Sequence, residues 1–212
     1  TVIIVSVVFC SGVSYKWILG VLAVLFPLGV VFVYMLQYEM IPFLRGYQAT
    51  RILAWINPKE YSAAYWQQEN SIMAIGSGQL WGKGLNNTEI ASVKNGNFLS
   101  EEQTDFIFAI IGEEMGFVGA MIVIALFLLL VYECLMMAYR AKDLSGRLIC
   151  TGMATLLAFQ SFANIAVATA IFPNTGLPLP FVSYGVSSLL SLYIGIGVVL
   201  NVGLQRRYSN EW

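Results

Sequence analysis

Five apolar runs, over residues 1–13, 17–38, 106–137, 148–172 and 186–204, decide most of what this chain can become. A helix needs about 20 apolar residues to cross the hydrocarbon of a bilayer, and most of these runs reach or approach that length. Lipid offers no water to satisfy backbone N–H and C=O groups, so such runs cross it as helices. Composition agrees, with 58% of residues hydrophobic, 11% charged and a mean hydropathy of +0.73. An ordinary soluble domain carries about a quarter charged residues. The expected fold is all-α, a polytopic bundle of transmembrane helices that makes residues 1–212 a single membrane domain. Thr1 stands inside an apolar run, with no initiator Met or basic signal-peptide region before it, so a fragment of a longer protein is expected.

Charge then assigns sides. Lys and Arg near span ends stay cytoplasmic; Lys16 follows the first run, Arg140, Lys142 and Arg147 follow the third, and Arg206-Arg207 follow the fifth. Alternating spans put all of these on one side. The long segment of about 39–104, between the second and third visible spans, is then extracytoplasmic, its own cations notwithstanding, and the C-terminus is cytoplasmic. That outer loop mixes aromatics and cations from Ile41 to Ile56, with an aromatic patch from Tyr61 to Trp66, a composition suited to the headgroup layer. A net charge of −1 and a pI near 5.4 give no basic field for nucleic acid. With no histidine, and with Cys10, Cys134 and Cys150 lacking paired spacing, zinc or redox motifs are not expected and the cysteines read as small core residues.

Polar clusters within so apolar a chain are the candidate sites. Residues 76–84 read Gly-Ser-Gly-Gln-Leu-Trp-Gly-Lys-Gly, a glycine-dense loop around Lys83 whose backbone could approach an anion, or simply turn. Its spacing is not that of a Walker loop. Thr104-Asp105-Phe106 enters the third run, and with a helix starting near Thr104 the residues Asp105, Ala109, Gly112 and Gly116 share one face. That small-residue face could admit another helix or a lipid chain. Glu113 and Glu114 follow about two turns deeper. Acids at such depth are costly and face a cavity or a partner; a dipole-favoured first-turn position for Asp105 and pairing with cations for the glutamates are the plainer alternatives. Pro173 to Gly185 holds three prolines and no charge, backbone that suits a cavity wall or a stiff turn. Gln160 and Asn164, one turn apart, read as interhelical hydrogen-bonding or cavity residues.

Three of these blocks, in this order, resemble the SEDS family (shape, elongation, division and sporulation) of bacterial cell-wall polymerases. They are residues 76–84, Thr104-Asp105-Phe106-Ile107-Phe108 through Gly112-Glu113-Glu114-Met115-Gly116, and Gly176-Leu177-Pro178-Leu179-Pro180-Phe181 through Ser183-Tyr184-Gly185 and Ser187-Ser188. Tyr47-Gln48, Arg51-Ile52-Leu53 and Asn57-Pro58 lean toward the RodA branch over the FtsW branch. Val186 replaces a usual second glycine, and Ser100-Glu101 a usual Pro-Glu; neither removes an expected functional side chain.

The resemblance implies the C-terminal half of a ten-helix protein of the bacterial cytoplasmic (inner) membrane. It implies a peptidoglycan glycosyltransferase that polymerises lipid II, a disaccharide-pentapeptide on undecaprenyl pyrophosphate, during cell elongation. Asp105 matches the family's essential aspartate and is expected as general base. Lys83, Arg51 and Arg45 are candidates to offset the leaving pyrophosphate, with a divalent cation (Mg or Mn) as the alternative supply. No organic cofactor is expected. Ser183 and Tyr184 would shape the substrate cavity, and the small-residue face below Asp105 would wall a prenyl tail. A class B penicillin-binding protein is the implied partner, with membrane lipid around both. A lipid II flippase and a non-catalytic wall-synthesis scaffold are the competing readings; the outer position of the polar cluster favours the enzyme, since transporters place their sites near the midplane.

Overall fold

The computed structural model describes residues 2–11, 15–37, 47–85 and 104–208. Among these the chain is helical, without strands: α1 Val2–Cys10, α2 Tyr15–Gln37, α3 Tyr47–Ile56, α4 Ser62–Ser77, α5 Ile107–Arg140, α6 Leu144–Ala168 and α7 Val186–Tyr208. Three of them, α5, α6 and α7, are long and apolar enough to cross a membrane, and α2 holds a shorter apolar stretch, Leu19–Val31. Large apolar side chains cover their outer surfaces: Leu126, Leu128 and Leu129 on α5, and Leu190 and Ile194 on α7, are all exposed. A surface this apolar belongs against lipid, and the protein is a membrane protein.

Helix α6 is the hub, touching α1, α4, α5 and α7. Small residues let its neighbours approach closely: Gly195 of α7 lies against Met153, and Gly146 of α6 against Val202. Cys134, Cys150, Ala154, Leu157, Leu192 and Val199 are buried together between α5, α6 and α7.

Helix α5 has 34 residues but is not one rod. Unbroken, it would run about 51 Å at 1.5 Å per residue, far more than the roughly 30 Å of hydrocarbon it would cross. It breaks at Gly116, whose φ of 66° and ψ of −166° are not helical. A break at that point releases two bonds, Phe117 N–H to Glu113 C=O and Val118 N–H to Glu114 C=O. All four freed groups are taken up by the glycine-rich loop after α4. Lys83 N–H donates to Glu113 O (2.9 Å) and Gly84 N–H to Glu114 O (3.0 Å), while Phe117 N–H donates to Gln79 O (2.8 Å) and Val118 N–H to Leu80 O (3.2 Å). Backbone meets backbone here, so a methyl group on Gly82 would strike the Glu114 carbonyl and one on Gly116 the Gly82 nitrogen. Both glycines also have positive φ, which L side chains avoid. The loop is therefore a splice that repairs a broken helix. The N–H groups of residues 82 to 84 are spent on protein carbonyls.

Helix α6 ends at Ala168 rather than near 172, because Ala170 takes a left-handed φ of 55° at the position where helices commonly stop. Its last carbonyls, which a helix cannot satisfy internally, receive side chains from the segment before α5. Ser71 Oγ–H donates to Ala168 O (2.7 Å), and Gln68 Nε2–H to Val167 O (3.2 Å) and Phe172 O (2.8 Å). Trp55 Nε1–H donates to Ala170 O (2.9 Å). These bonds fasten α3 and α4 onto the end of α6 and bring residues 47–77 beside the turn that precedes α5.

Candidate active site

Asp105 is not on the helix. Residues 104–106 form a turn and α5 begins at Ile107, later than the helical-face argument assumes. The reason lies in competing hydrogen bonds. In a helix Thr104 O and Asp105 O would accept from the residues four further on; here Ser183 Oγ–H takes Thr104 O at 2.6 Å and Asn164 Nδ2–H takes Asp105 O at 2.8 Å. Ala109 N–H turns to Phe106 O instead (2.9 Å). Phe106, fully buried between Ala74 and Val167, anchors the far side of the turn. The half-buried Asp105 side chain is thus carried on a backbone held from two directions.

Both holding residues also grip the proline-rich loop. Asn164, fully buried, donates its second Nδ2 hydrogen to Leu177 O (2.8 Å); two carbonyls at one atom identify it as the nitrogen, since an amide oxygen could not donate. Ser183 Oγ also accepts Leu179 N–H (2.7 Å). The loop turns through Gly176 at φ +67°, and the position a Cβ would occupy there lies 3.4 Å from Asp105 Oδ2 and 3.4 Å from Arg51 Nη1. A carboxylate from the turn before α5 and a guanidinium from α3 therefore converge over one glycine. Arg51 Nη1–H donates to Asn174 O (3.3 Å), Asn174 Oδ1 accepts Gly176 N–H (3.1 Å), and Asn174 Nδ2–H reaches Gln67 Oε1 (3.5 Å). Arg51, Gln67 and Asn174 also line a half-open cavity of about 270 Å³ between α3, α4 and this loop.

The other residues read from the sequence lie elsewhere. Lys83 Nζ pairs with Glu113 Oε1 at 2.8 Å, with Glu113 only 1% exposed. That pair stands beside the splice, eight residues along the chain from Asp105 and about 12 Å away by helical rise. Glu114 is half-buried and engaged, and its carbonyl serves the splice. Gln160 Oε1 and Asn164 Oδ1 are buried without a hydrogen-bond partner among the described residues. Tyr184 is 70% exposed while its neighbour Ser183 is buried. Arg45 and Ser100-Glu101 lie outside the described residues, as do the side chains of Tyr47, Gln48, Arg206 and Arg207. The small-residue face expected to wall a prenyl tail is occupied by protein: Ala109 packs with Ala74, Gly112 lies against Ile75, and Gly116 against Gly82 and Leu80.

The family model FtsW/RodA/SpoVE, described as cell cycle protein, matches residues 1–208. The chain belongs to this family. It is 36% identical over 210 residues to FtsW of Geobacter sp. (strain M18), covering 98% of this chain and 54% of that protein. To the peptidoglycan glycosyltransferase MrdB of Escherichia coli (strain K12) it is 37% identical over 208 residues, 97% of this chain and 53% of the other. Among solved structures it superimposes on a chain of a peptidoglycan synthase complex that coordinates polymerization and crosslinking, with a TM-score of 0.68 and 30% identity over 94% of this chain and 52% of that one. The chain spans about half the length of the relatives it matches.

In this FtsW/RodA/SpoVE chain, sequence reasoning missed Gln67, Asn174 and Gly176 as residues of the site. Asn174 and Gly176 did carry a signal: an Asn two residues before a Gly, after a proline, suggests a side-chain-closed turn, and here Asn174 closes on Gly176 N–H. Gln67 carried none, since its role depends on α4 docking at the end of α6.

Proposed function

We infer that this chain carries the general base of a membrane-embedded glycosyltransferase that polymerises lipid II into glycan strands. The observation that carries the reading is the convergence of Asp105 Oδ2 and Arg51 Nη1 over Gly176. In an inverting transfer Asp105 accepts the proton of the 4-hydroxyl of one sugar as that oxygen bonds to the anomeric carbon of another. The anomeric bond to undecaprenyl pyrophosphate breaks, and its electron pair leaves with the pyrophosphate. A base needs a carboxylate held in place yet reachable, and Asp105 combines a doubly fixed backbone with a half-buried side chain. Arg51 is the substrate-binding cation at that point.

Among the described residues no three or more His, Cys, Asp or Glu are grouped as a metal cage. A divalent cation held between Asp105 and the substrate's own pyrophosphate would be the alternative supply of positive charge for the leaving group. The basic residues between α1 and α2, between α5 and α6 and after α7 support a cytoplasmic side there, leaving α3, α4, the splice and Asp105 outside, where wall synthesis proceeds. The synthase complex that this chain resembles supports a crosslinking partner, a class B penicillin-binding protein. The elongation role rests on the residues 47–58 that lean toward RodA.

The test uses the full-length protein with its partner. Asp105→Asn should lower glycan polymerisation by about 10²–10⁴-fold, the usual worth of a positioned general base, with unchanged thermal melting. Normal polymerisation by this variant would refute the base assignment, and transbilayer movement of lipid II without polymer would move the reading to a flippase.

A further inference from the structure

We propose that the cavity between α3, α4 and the Asn174 turn seats one N-acetylated sugar ring of the acceptor, delivering its hydroxyl to the general base. This rests on the reading of Asp105 as that base. Placement is the first argument. Arg51 and Asn174 line the cavity and also build the point where Asp105 arrives, so a ring held in the cavity has its edge at the carboxylate.

Lining chemistry is the second. Arg51 is the one charged residue among those lining the cavity, the others being Thr50, Ala63, Ala64, Trp66, Gln67 and Asn174. A departing pyrophosphate calls for clustered cations. A pyranose calls for what is present: planar amide and guanidinium groups that pair with hydroxyls and an acetamide, beside a partly exposed indole, Trp66, whose flat face covers a sugar's C–H face. The polar side is organised in advance, with Asn174 held by both Gly176 N–H and Gln67. Orientation of this kind is what few, fixed polar groups in a small site supply. Size is the third argument. A volume of about 270 Å³ is roughly nine times a water's share of the liquid, room for one ring, with the rest of the substrate leaving through the open side. The two alanines keep that room open, because any larger side chain from α4 would enter it.

The test uses the full-length protein with its partner, assayed for polymerisation across a range of lipid-linked disaccharide concentrations. Ala64→Phe fills the cavity and should raise the half-saturating concentration about tenfold or more, with kcat far less affected; Asp105→Asn should lose kcat at every concentration. An unchanged concentration dependence in a normally melting Ala64→Phe protein would overturn the proposal. A second measurement does not depend on that variant folding. A photo-crosslinking amino acid placed at Trp66 in the Asp105→Asn background should capture the lipid-linked disaccharide through a sugar ring, located by fragmentation of the adduct. Adducts confined to the prenyl chain or pyrophosphate, or no adduct, would overturn the cavity assignment and leave the base assignment standing. Polymerisation persisting in Asp105→Asn would remove the base and leave the capture result interpretable.

Discussion

Two acidic sites lie along the same stretch of chain, and they differ in almost everything except charge. Asp105 sits on a turn held by side chains, over a glycine with a left-handed φ, next to a half-open cavity. Glu113 sits two turns on, 1% exposed, bonded to Lys83, in a region where glycines serve to press backbone against backbone. Gly176 serves by its positive φ of 67°, which turns the loop beneath Asp105 and Arg51, whereas at Gly82 and Gly116 any Cβ would strike backbone. The same residue type thus does different work at the two places, and depth of burial separates Glu113 from Asp105, the proposed base. A base has to be reachable by its substrate, whereas a buried ion pair holds elements together only while both members remain.

The largest expected effect tests that division directly. Asp105→Asn should cost the transition state about 3–5 kcal/mol, at 1.36 kcal/mol per decade of rate, and leave melting unchanged. Glu113→Gln keeps shape but discards the charge facing Lys83, and should lower the melting temperature more than it lowers kcat. The reverse pattern would dissolve the comparison. Next comes Lys83→Met, which leaves the Glu113 carboxylate buried without this cation. Losing one member of a buried pair costs about 3–5 kcal/mol, and the lower end applies because Lys83 is 22% exposed. Thermal unfolding of Lys83→Met combined with Glu113→Leu should recover part of the loss; a double variant no better than Lys83→Met alone would mean the pair is not what holds the splice.

Smaller again is Ser183→Ala. It removes the donor to Thr104 O and the acceptor of Leu179 N–H, and a buried group left without its bond costs about 1–3 kcal/mol. Because Thr104 precedes Asp105, the proposed base, the kcat of the variant should fall by more than its melting shift explains. Equal falls would make Ser183 a loop staple without influence on Asp105.

How far the sequence carries these distinctions depends on range. The expected spans at 106–137, 148–172 and 186–204 correspond to α5, α6 and α7 with shifted ends, since apolar length in lipid is a local property. Asp105 is likewise visible as a polar residue at the mouth of an apolar run. The break at Gly116 is not, because a glycine in such a helix more often packs than kinks; only the loop of residues 79–84, far earlier in the chain, supplying donors and acceptors for its four freed groups, allows it. Helix α4 hides for a related reason. Its polar residues Gln68, Asn70 and Ser71 are buried, and Gln68 and Ser71 cap α6, so no clean apolar stripe marks it. Asn164 reads as an interhelical packing residue, yet its two bonds go to a turn and a loop.

Tyr184 gives the smallest expected effect and places the edge of the open site. The sequence pairs it with Ser183 as a cavity residue, but the turn sends the two in opposite directions, Ser183 to 4% exposure and Tyr184 to 70%. An exposed side chain away from any buried bond changes stability by no more than about 0.5 kcal/mol, so Tyr184→Ala should melt with the parent protein. Its polymerisation should fall only slightly, since Asp105 and Arg51 meet at Gly176, at the other end of the loop. A loss approaching that of Asp105→Asn, with melting unchanged, would extend substrate contact along the whole loop from Asn174 to Tyr184. The ring in the cavity would then be one of two anchoring points, and the open site would be a groove running along the proline-rich loop.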